Sequence, residues 1–263
     1  MLPRAFNNFK KDSLLKKLSS LQHPLVKHLL RLRIDSSYRK EHQTLLITGK
    51  NTLLELVKSH TLLQCLQLEE MDTPFSKNAL ETWIVTEEIL KKVTGLKSPE
   101  NYIATLKRPQ ESDLSVCTHI LLCDRIQDPG NMGTLIRSAL ALGADGIAHM
   151  QGGVDLFNEK VLRASKGAIF RIPFQTFNEN SLKMFIDKKK WHCIAADPKG
   201  SPLSLEHTNH HPIILAIGHE TEGLSDYVRS HFDRVAISMS GQMESLNAAV
   251  AGSIFMFKLF SKQ

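Results

Sequence analysis

The run Ile120-Leu121-Leu122-Cys123-Asp124-Arg125-Ile126-Gln127-Asp128-Pro129-Gly130-Asn131-Met132-Gly133-Thr134-Leu135-Ile136-Arg137 decides how this chain folds. Its first four residues are apolar without interruption, the pattern of a strand covered on both faces. Pro129-Gly130 then forces a turn. From Met132 to Leu142 apolar positions recur at helical spacing, and Asn131 is placed to cap that helix. Gly130 and Gly133 fall short of the three-glycine dinucleotide fingerprint, so a nicotinamide cofactor is not indicated.

Toward the C-terminus the same alternation continues. Apolar runs at 147–150, 169–174, 193–196, 213–217 and 235–237 predict strands. Helical spacing predicts helices at 159–164, 181–190, 225–230 and 245–260. Alternation at these lengths predicts an α/β domain with a parallel sheet covered on both faces. Ligands of such sheets sit at the carboxyl ends of the strands.

Toward the N-terminus a second, smaller α/β pattern precedes this one. Residues 1–20 read as a basic N-terminal extension. Within 21–107, Leu25, Leu29, Leu30 and Leu32 among basic neighbours predict an amphipathic helix, and 45–47, 62–68, 83–85 and 103–106 predict strands. Helices are predicted at 52–59 and 87–93. Residues 107–115 contain Pro109 and mixed charges with little periodicity, so a linker is expected at about 108–114, ahead of a domain at 115–263.

The chain has 263 residues with 42% hydrophobic content, enough for a sizeable core. No apolar run approaches the roughly 20 residues that span a bilayer. Cys65, Cys117, Cys123 and Cys193 show neither a CxxC pair nor a zinc-ligand rhythm, which fits reduced thiols and a cytoplasmic protein. His207, His210, His211 and His219 match no compact ligand spacing, so no metal is expected. Charge points to a partner. The first fifty residues hold eleven Lys and Arg against three Asp and Glu, a surplus of eight where the whole chain carries +6. A basic end on a near-neutral body fits a polyanion such as RNA or DNA. Residues 1–11 are basic and acid-free, as a mitochondrial presequence would be, but they are short, serine-free and followed by Asp12.

Two more segments follow predicted strands. Gly218-His219-Glu220-Thr221-Glu222-Gly223-Leu224 places carboxylates between two glycines that permit close backbone approach. Ser245-Leu246-Asn247-Ala248-Ala249-Val250-Ala251 opens the last helix, with Ser245 placed as its N-cap and Asn247 in its first turn. The small residues Ala248, Ala249, Ala251, Gly252 and Ser253 allow another backbone to pack closely. Taken singly, the first segment is explained by a cap and a surface cation, the second by a turn with a solvated acid.

Together, in this order and at these separations, the three segments resemble the three motifs of the SpoU (TrmH-like) RNA ribose methyltransferases. The run Val161-Leu162-Arg163-Ala164-Ser165-Lys166-Gly167-Ala168-Ile169-Phe170 resembles the family's stretch between motifs one and two, and 20–57 resembles its ribosomal-protein-like substrate-binding domain. Departures are Thr48 before Gly49, where relatives often carry an acid, and Ser238, where the family usually has proline.

The resemblance implies a deep trefoil (α/β) knot in the C-terminal domain, preceded by a small α/β RNA-binding domain. It implies methyl transfer from S-adenosyl-L-methionine to a 2′-hydroxyl of RNA, with ribosomal RNA the expected substrate and transfer RNA the alternative. Gly218, Ile237, Met239 and Leu246 would hold the cofactor. Asn131, Arg137, Glu220, Ser245 and Asn247 would carry the catalytic roles, in a homodimer. The rival reading is a non-catalytic RNA-binding protein that retains the fold.

Overall fold

The computed structural model describes residues 14–69, 74–204, 207 and 211–260, and divides into two compact units, 1–108 and 109–263. The cations Arg4, Lys10 and Lys11 lie outside the described residues, as does His210.

In the first unit, strands β1 (Leu14–Leu18), β2 (Thr44–Thr48), β3 (Leu62–Gln67), β4 (Ala79–Val85) and β5 (Tyr102–Lys107) lie in the order β1-β4-β3-β5-β2. β5 runs antiparallel to both neighbours, and β1, β4 and β3 are mutually parallel. The lead-in expected at 1–20 therefore ends earlier, because Leu14–Leu18 is an edge strand paired in register with Glu81–Val85. Helices α1 (Pro24–Ile34), α2 (Ser36–His42), α3 (Lys50–Leu56) and α4 (Glu87–Thr94) cover the sheet. α1 turns Leu25, Val26, Leu29 and Leu32 inward, against Ile89, Leu90 and Val93 of α4. Each such leucine contributes roughly 1.5–3 kcal/mol on burial.

In the second unit, β6 (His119–Asp124), β7 (Gly146–Met150), β8 (Phe174–Phe177), β9 (His192–Pro202), β10 (Ile213–Gly218) and β11 (Asp233–Ala236) form a sheet of order β11-β9-β10-β6-β7-β8. Every pairing in it is parallel. Helices α5 (Pro129–Leu142), α6 (Glu159–Ser165), α7 (Glu179–Asp187), α8 (Asp226–His231) and α9 (Ala248–Leu259) connect and cover the strands. β6 and β10 are neighbours although about ninety residues separate them, and their register runs from His119↔Ile213 to Asp124↔Gly218. From β6 the chain proceeds to β7 on one side, while β9 and β11 lie beyond β10 on the other, so the strand order reverses at this pair. That reversal opens the crevice where sheets of this kind take ligands.

Two further expectations need correction. The run at 169–174 is not one strand: Ala168–Phe170 is a 3-10 turn and the strand begins at Phe174. Lys166 and Gly167, both left-handed, end α6 and bend the chain before Ile169 is buried. Within the stretch 108–114, expected as a linker, the chain is tied to the second unit. Leu114 is fully buried, the Ser112 amide donates to the Phe174 carbonyl at 2.9 Å, and the Glu111 carboxylate accepts from the Thr176 hydroxyl at 2.7 Å. Finally, the caps expected of Asn131 and Ser245 fall to Asp128 and Asn247.

Candidate active site

The loop between β6 and α5 is shaped by Asp128. Its carboxylate accepts from the Asn131 amide at 2.7 Å, and Pro129 occupies the first helical position, where its missing N–H costs nothing. Asn131 thus stands in the first turn with its side-chain amide free to act elsewhere. Gly133, two residues on, faces α6: a Cβ there would lie 2.5 Å from the Ala164 Cβ and 2.7 Å from the Val161 carbonyl oxygen. This contact accounts for the 161–170 run, which packs α6 against the motif-one helix.

The loop after β10 is a closed turn. The His219 and Gly223 backbones exchange hydrogen bonds at 3.0 Å in both directions, and the His219 ring nitrogen Nδ1 accepts from the amides of Thr221 and Glu222. Gly218 is needed because a Cβ would sit 2.6 Å from the Gly223 carbonyl carbon, inside contact distance. Gly223 itself has φ +74°, a conformation that glycine adopts without strain. The turn projects Glu220 toward the motif-one loop.

Glu220 gathers that loop. Its Oε1 accepts from Asn131 Nδ2 at 2.9 Å and from the Asp128 amide at 3.2 Å, and its Oε2 accepts from the Gln127 amide at 3.2 Å. Burial pushes the Glu220 carboxyl up, but the hydrogen bonds from Asn131, Gln127 and Asp128 outweigh it and hold the group below the usual glutamate range. Asn131 Oδ1 in turn accepts from Asn247 Nδ2 at 2.9 Å. Asn247 Oδ1 caps α9, accepting from the amides of Ala249 at 2.9 Å and Val250 at 3.3 Å. One hydrogen-bonded row, Glu220–Asn131–Asn247, therefore joins the three segments across 116 positions of sequence.

Two neighbours brace the row that the sequence did not single out. Asp124, fully buried at the end of β6, accepts from the Ser225 amide at 2.6 Å and so ties β6 to the far side of the Glu220 loop. Arg125, at φ 61°, adopts a left-handed conformation costly for any residue with a Cβ and pairs its Nη1 with Glu222 at 3.3 Å. Its Nε and Asp124 Oδ1 lie 3.5 Å apart, an ion pair without hydrogen-bond alignment, so each atom lacks a formal hydrogen-bond partner. A charged residue of an Asp-Arg pair directly after an apolar strand was the available signal.

Other expected residues stand apart from the row. Arg137 is exposed on α5, about 120° around the helix from Asn131. Ser245 is exposed in the 237–247 loop. Among the described residues neither makes a hydrogen bond or ion pair to Asn131, Glu220 or Asn247. The histidines scatter: His211 packs on the His119 ring at 4.8 Å, His207 lies 6.4 Å from His192, and His219 serves its own turn. No group of three metal-binding side chains occurs among the described residues.

Gly218, Ile237, Met239 and Leu246 share the carboxyl edge of the sheet with the row. Ile237 is half-buried, while Met239 and Leu246 are exposed apolar side chains flanking an exposed polar stretch. Gly241, at φ +81°, has nothing within 4 Å of where a Cβ would stand. Apolar side chains among backbone N–H and C=O groups fit a purine, whose faces are apolar and whose edges hydrogen-bond. The residues present fit S-adenosylmethionine.

Known proteins support the same reading. The sequence matches the model of the SpoU rRNA Methylase family over residues 118–257. It is 30% identical over 252 residues to the 23S rRNA (guanosine(2553)-2′-O)-methyltransferase RlmP of Bacillus subtilis, covering 93% of this chain and 99% of that protein. A crystal structure of an RNA 2′-O ribose methyltransferase superposes with TM-score 0.77 at 27% identity, covering 92% of this chain and 97% of the other. An AdoMet-bound rRNA methyltransferase from Sinorhizobium meliloti shares the fold with TM-score 0.81 at 23% identity, over 93% and 97% of the two chains. The fold is the α/β class with the trefoil knot of these methyltransferases.

Proposed function

The chain belongs to the SpoU rRNA methylase family, and from that premise we infer that it methylates a ribose 2′-hydroxyl of ribosomal RNA, with Asn131, Glu220 and Asn247 ordering the reacting groups. The observation that carries the reading is the hydrogen-bonded row that joins all three motifs at one edge of the sheet. When bound, S-adenosylmethionine supplies the electrophilic methyl group. Gly218, Ile237, Met239 and Leu246 would hold it through backbone and apolar contacts.

The chain's own contribution is orientation. A ribose hydroxyl is a poor nucleophile, and holding it in line accounts for much of the acceleration available. Glu220, with its oxygens committed to three donors, is an orienting group and a poor proton acceptor. Arg137 suits the phosphate beside the target ribose, since its guanidinium makes forked bonds to phosphate oxygens. A guanidinium is a poor base, so Arg137 is assigned positioning and charge and not proton removal. Ser245 and Asn247 are the remaining polar groups at the mouth of the last helix.

The basic first unit is assigned the RNA and the second unit the methyl transfer. A second copy of the chain is assigned to α9. Leu246, Val250, Ile254 and Phe257, 36–60% exposed, form one apolar stripe at helical spacing that continues directly from motif three. A two-fold pairing of this stripe would bury it on both copies. Reduced thiols fit a cytoplasmic location: burial pushes Cys65, Cys123 and Cys193 up to about 12 and Cys117 to about 11. The test is to incubate the protein with S-adenosylmethionine and 23S ribosomal RNA lacking 2′-O-methyl groups, then map methylated riboses. Appearance of a single 2′-O-methyl site is expected; binding of RNA and cofactor with no methylation at any ribose would favour the non-catalytic rival.

A further inference from the structure

On the outer side of the first unit, α1 and α2 build a column of rings, one member of which, Tyr38, also packs against the unit's core. The Arg31 guanidinium carbon lies 3.9 Å from the centre of the Tyr38 ring. Tyr38 and His42 are one turn apart on α2, with ring centres 4.0 Å apart. His28, on α1, meets His42 edge-on at 5.3 Å and bonds the Tyr38 hydroxyl through Nδ1 at 2.9 Å. Burial first, then the nearby His42 and Arg31, lowers the His28 pKa and favours its neutral ring.

Around this column the surface is open and basic. Lys27, Arg31 and Ile34 fall within about 60° of one another on the α1 wheel, and all three are exposed. Ile34 is 65% exposed although the inner face of the same helix already supplies Leu25, Val26, Leu29 and Leu32 to the core. Lys40 and His42 continue the exposed surface onto α2. The acids within 24–42 are Asp35, which caps α2 and lies 3.7 Å from Arg31, and Glu41. Aromatic faces interleaved with cations, beside an exposed apolar residue, match what an unpaired nucleotide offers: a π-face to stack on and a phosphate to neutralise. A paired helix hides its base faces and would use the cations alone.

We propose that the α1–α2 surface, formed by Lys27, Arg31, Ile34, Tyr38 and His42, is a docking site for unpaired bases of the RNA substrate. It rests on the reading that the first unit binds RNA, and names where and in which form. Arg31 and Lys27 contact the backbone, and the exposed ring of His42 extends the stack onto a base. Purely structural roles for these residues would make their loss visible in stability instead.

The test uses the full chain and a fluorescent oligoadenylate of about 12 nucleotides, with a duplex of equal length as competitor. Arg31→Ala and Lys27→Ala should each weaken oligoadenylate binding about fivefold and reduce the salt slope by about one. His42→Ala should weaken binding about threefold and Ile34→Ser about twofold, and neither should change the salt slope. Melting temperatures should stay at the wild-type value. Lys58→Glu and Lys77→Glu, elsewhere in the first unit, serve as the comparison. If those two weaken binding and the α1–α2 variants do not, the location is wrong while the first unit still binds RNA. If no variant in the first unit matters, both readings fall. Duplex competing as well as the single strand would overturn the assignment to unpaired bases, and an affinity loss that tracks a lowered melting temperature would return the column to a structural role.

Discussion

Replacing Glu220 by Gln keeps the side chain's shape but turns one acceptor into a donor facing an N–H of Asn131, Asp128 or Gln127. A donor facing a donor loses the bond outright, so methylation should fall at least tenfold, read by single-turnover assay. The pH dependence has a definite sign. The Glu220 pKa is lowered in the folded protein, so the stability it contributes is present above the ordinary glutamate value and disappears as pH falls through the folded value. Melting curves of wild type and Glu220→Gln, compared from about pH 7 to about pH 3, should differ by a constant amount at neutral pH and converge only below the ordinary glutamate range. Convergence already near neutrality would mean the carboxylate is not held as described. Arg137→Ala should abolish most methylation with melting temperature and cofactor affinity unchanged, and Arg137→Lys should rescue little, because an ammonium cannot make the planar two-point contact; full activity in either variant would end its catalytic assignment. At this scale the sequence marked candidate residues and not how they meet. Asn131, Glu220 and Asn247 stand out in their motifs, yet nothing in the motifs says that Asn131 is the middle member of a row. Cap identity was ambiguous for a physical reason: Asp128 and Asn131, like Ser245 and Asn247, are all good caps, and only backbone geometry chooses between them.

Elements explain why single small residues matter in this unit. Gly252 on α9 lies against Leu135 of α5, where a Cβ would come within 2.4 Å of Leu135 Cδ2, and Ser253 donates to Ser138 at 2.8 Å. Gly252→Val should therefore destabilise by about 1–3 kcal/mol through overpacking, measured by urea denaturation; no change would show that α5 and α9 have room to separate. On the opposite, exposed side of α9, Phe257→Glu should leave the melting temperature near wild type and convert the proposed dimer to monomer in sedimentation equilibrium. A monomeric wild type would remove the stripe's proposed occupant. The strands of the second unit were legible because two-sided burial leaves unbroken apolar runs, as at 120–123 and 213–217. β1 was not, since an edge strand carries Lys16 and Lys17 and leaves Leu15 58% exposed. α2 is polar all round and short, so periodicity could not reveal it. The 169–174 run failed because a buried 3-10 turn and a buried strand look alike without alternation.

At the scale of the whole molecule, the boundary between Arg108 and Pro109 makes a direct experiment available. A chain of residues 109–263 should bind S-adenosylhomocysteine as the full protein does, with no effect of a chelator, and bind ribosomal RNA at least tenfold more weakly, both by titration calorimetry. Equal RNA affinity would refute the division of labour between the units. Binding by the full chain should weaken steeply with salt as phosphate contacts displace counterions. The composition already carried this much, since the charge surplus lies in the first fifty residues; what it could not carry is which face of the first unit holds those charges beside rings. One further consequence follows from Asn247 serving two masters, the first turn of α9 and the Asn131 amide. During synthesis the β6 and β10 loops emerge well before residue 247, and until that asparagine docks, the row lacks its third member. A nascent or clipped chain without the last helix would thus keep the unit assigned to RNA while lacking the third member of the row, and should bind RNA without methylating it.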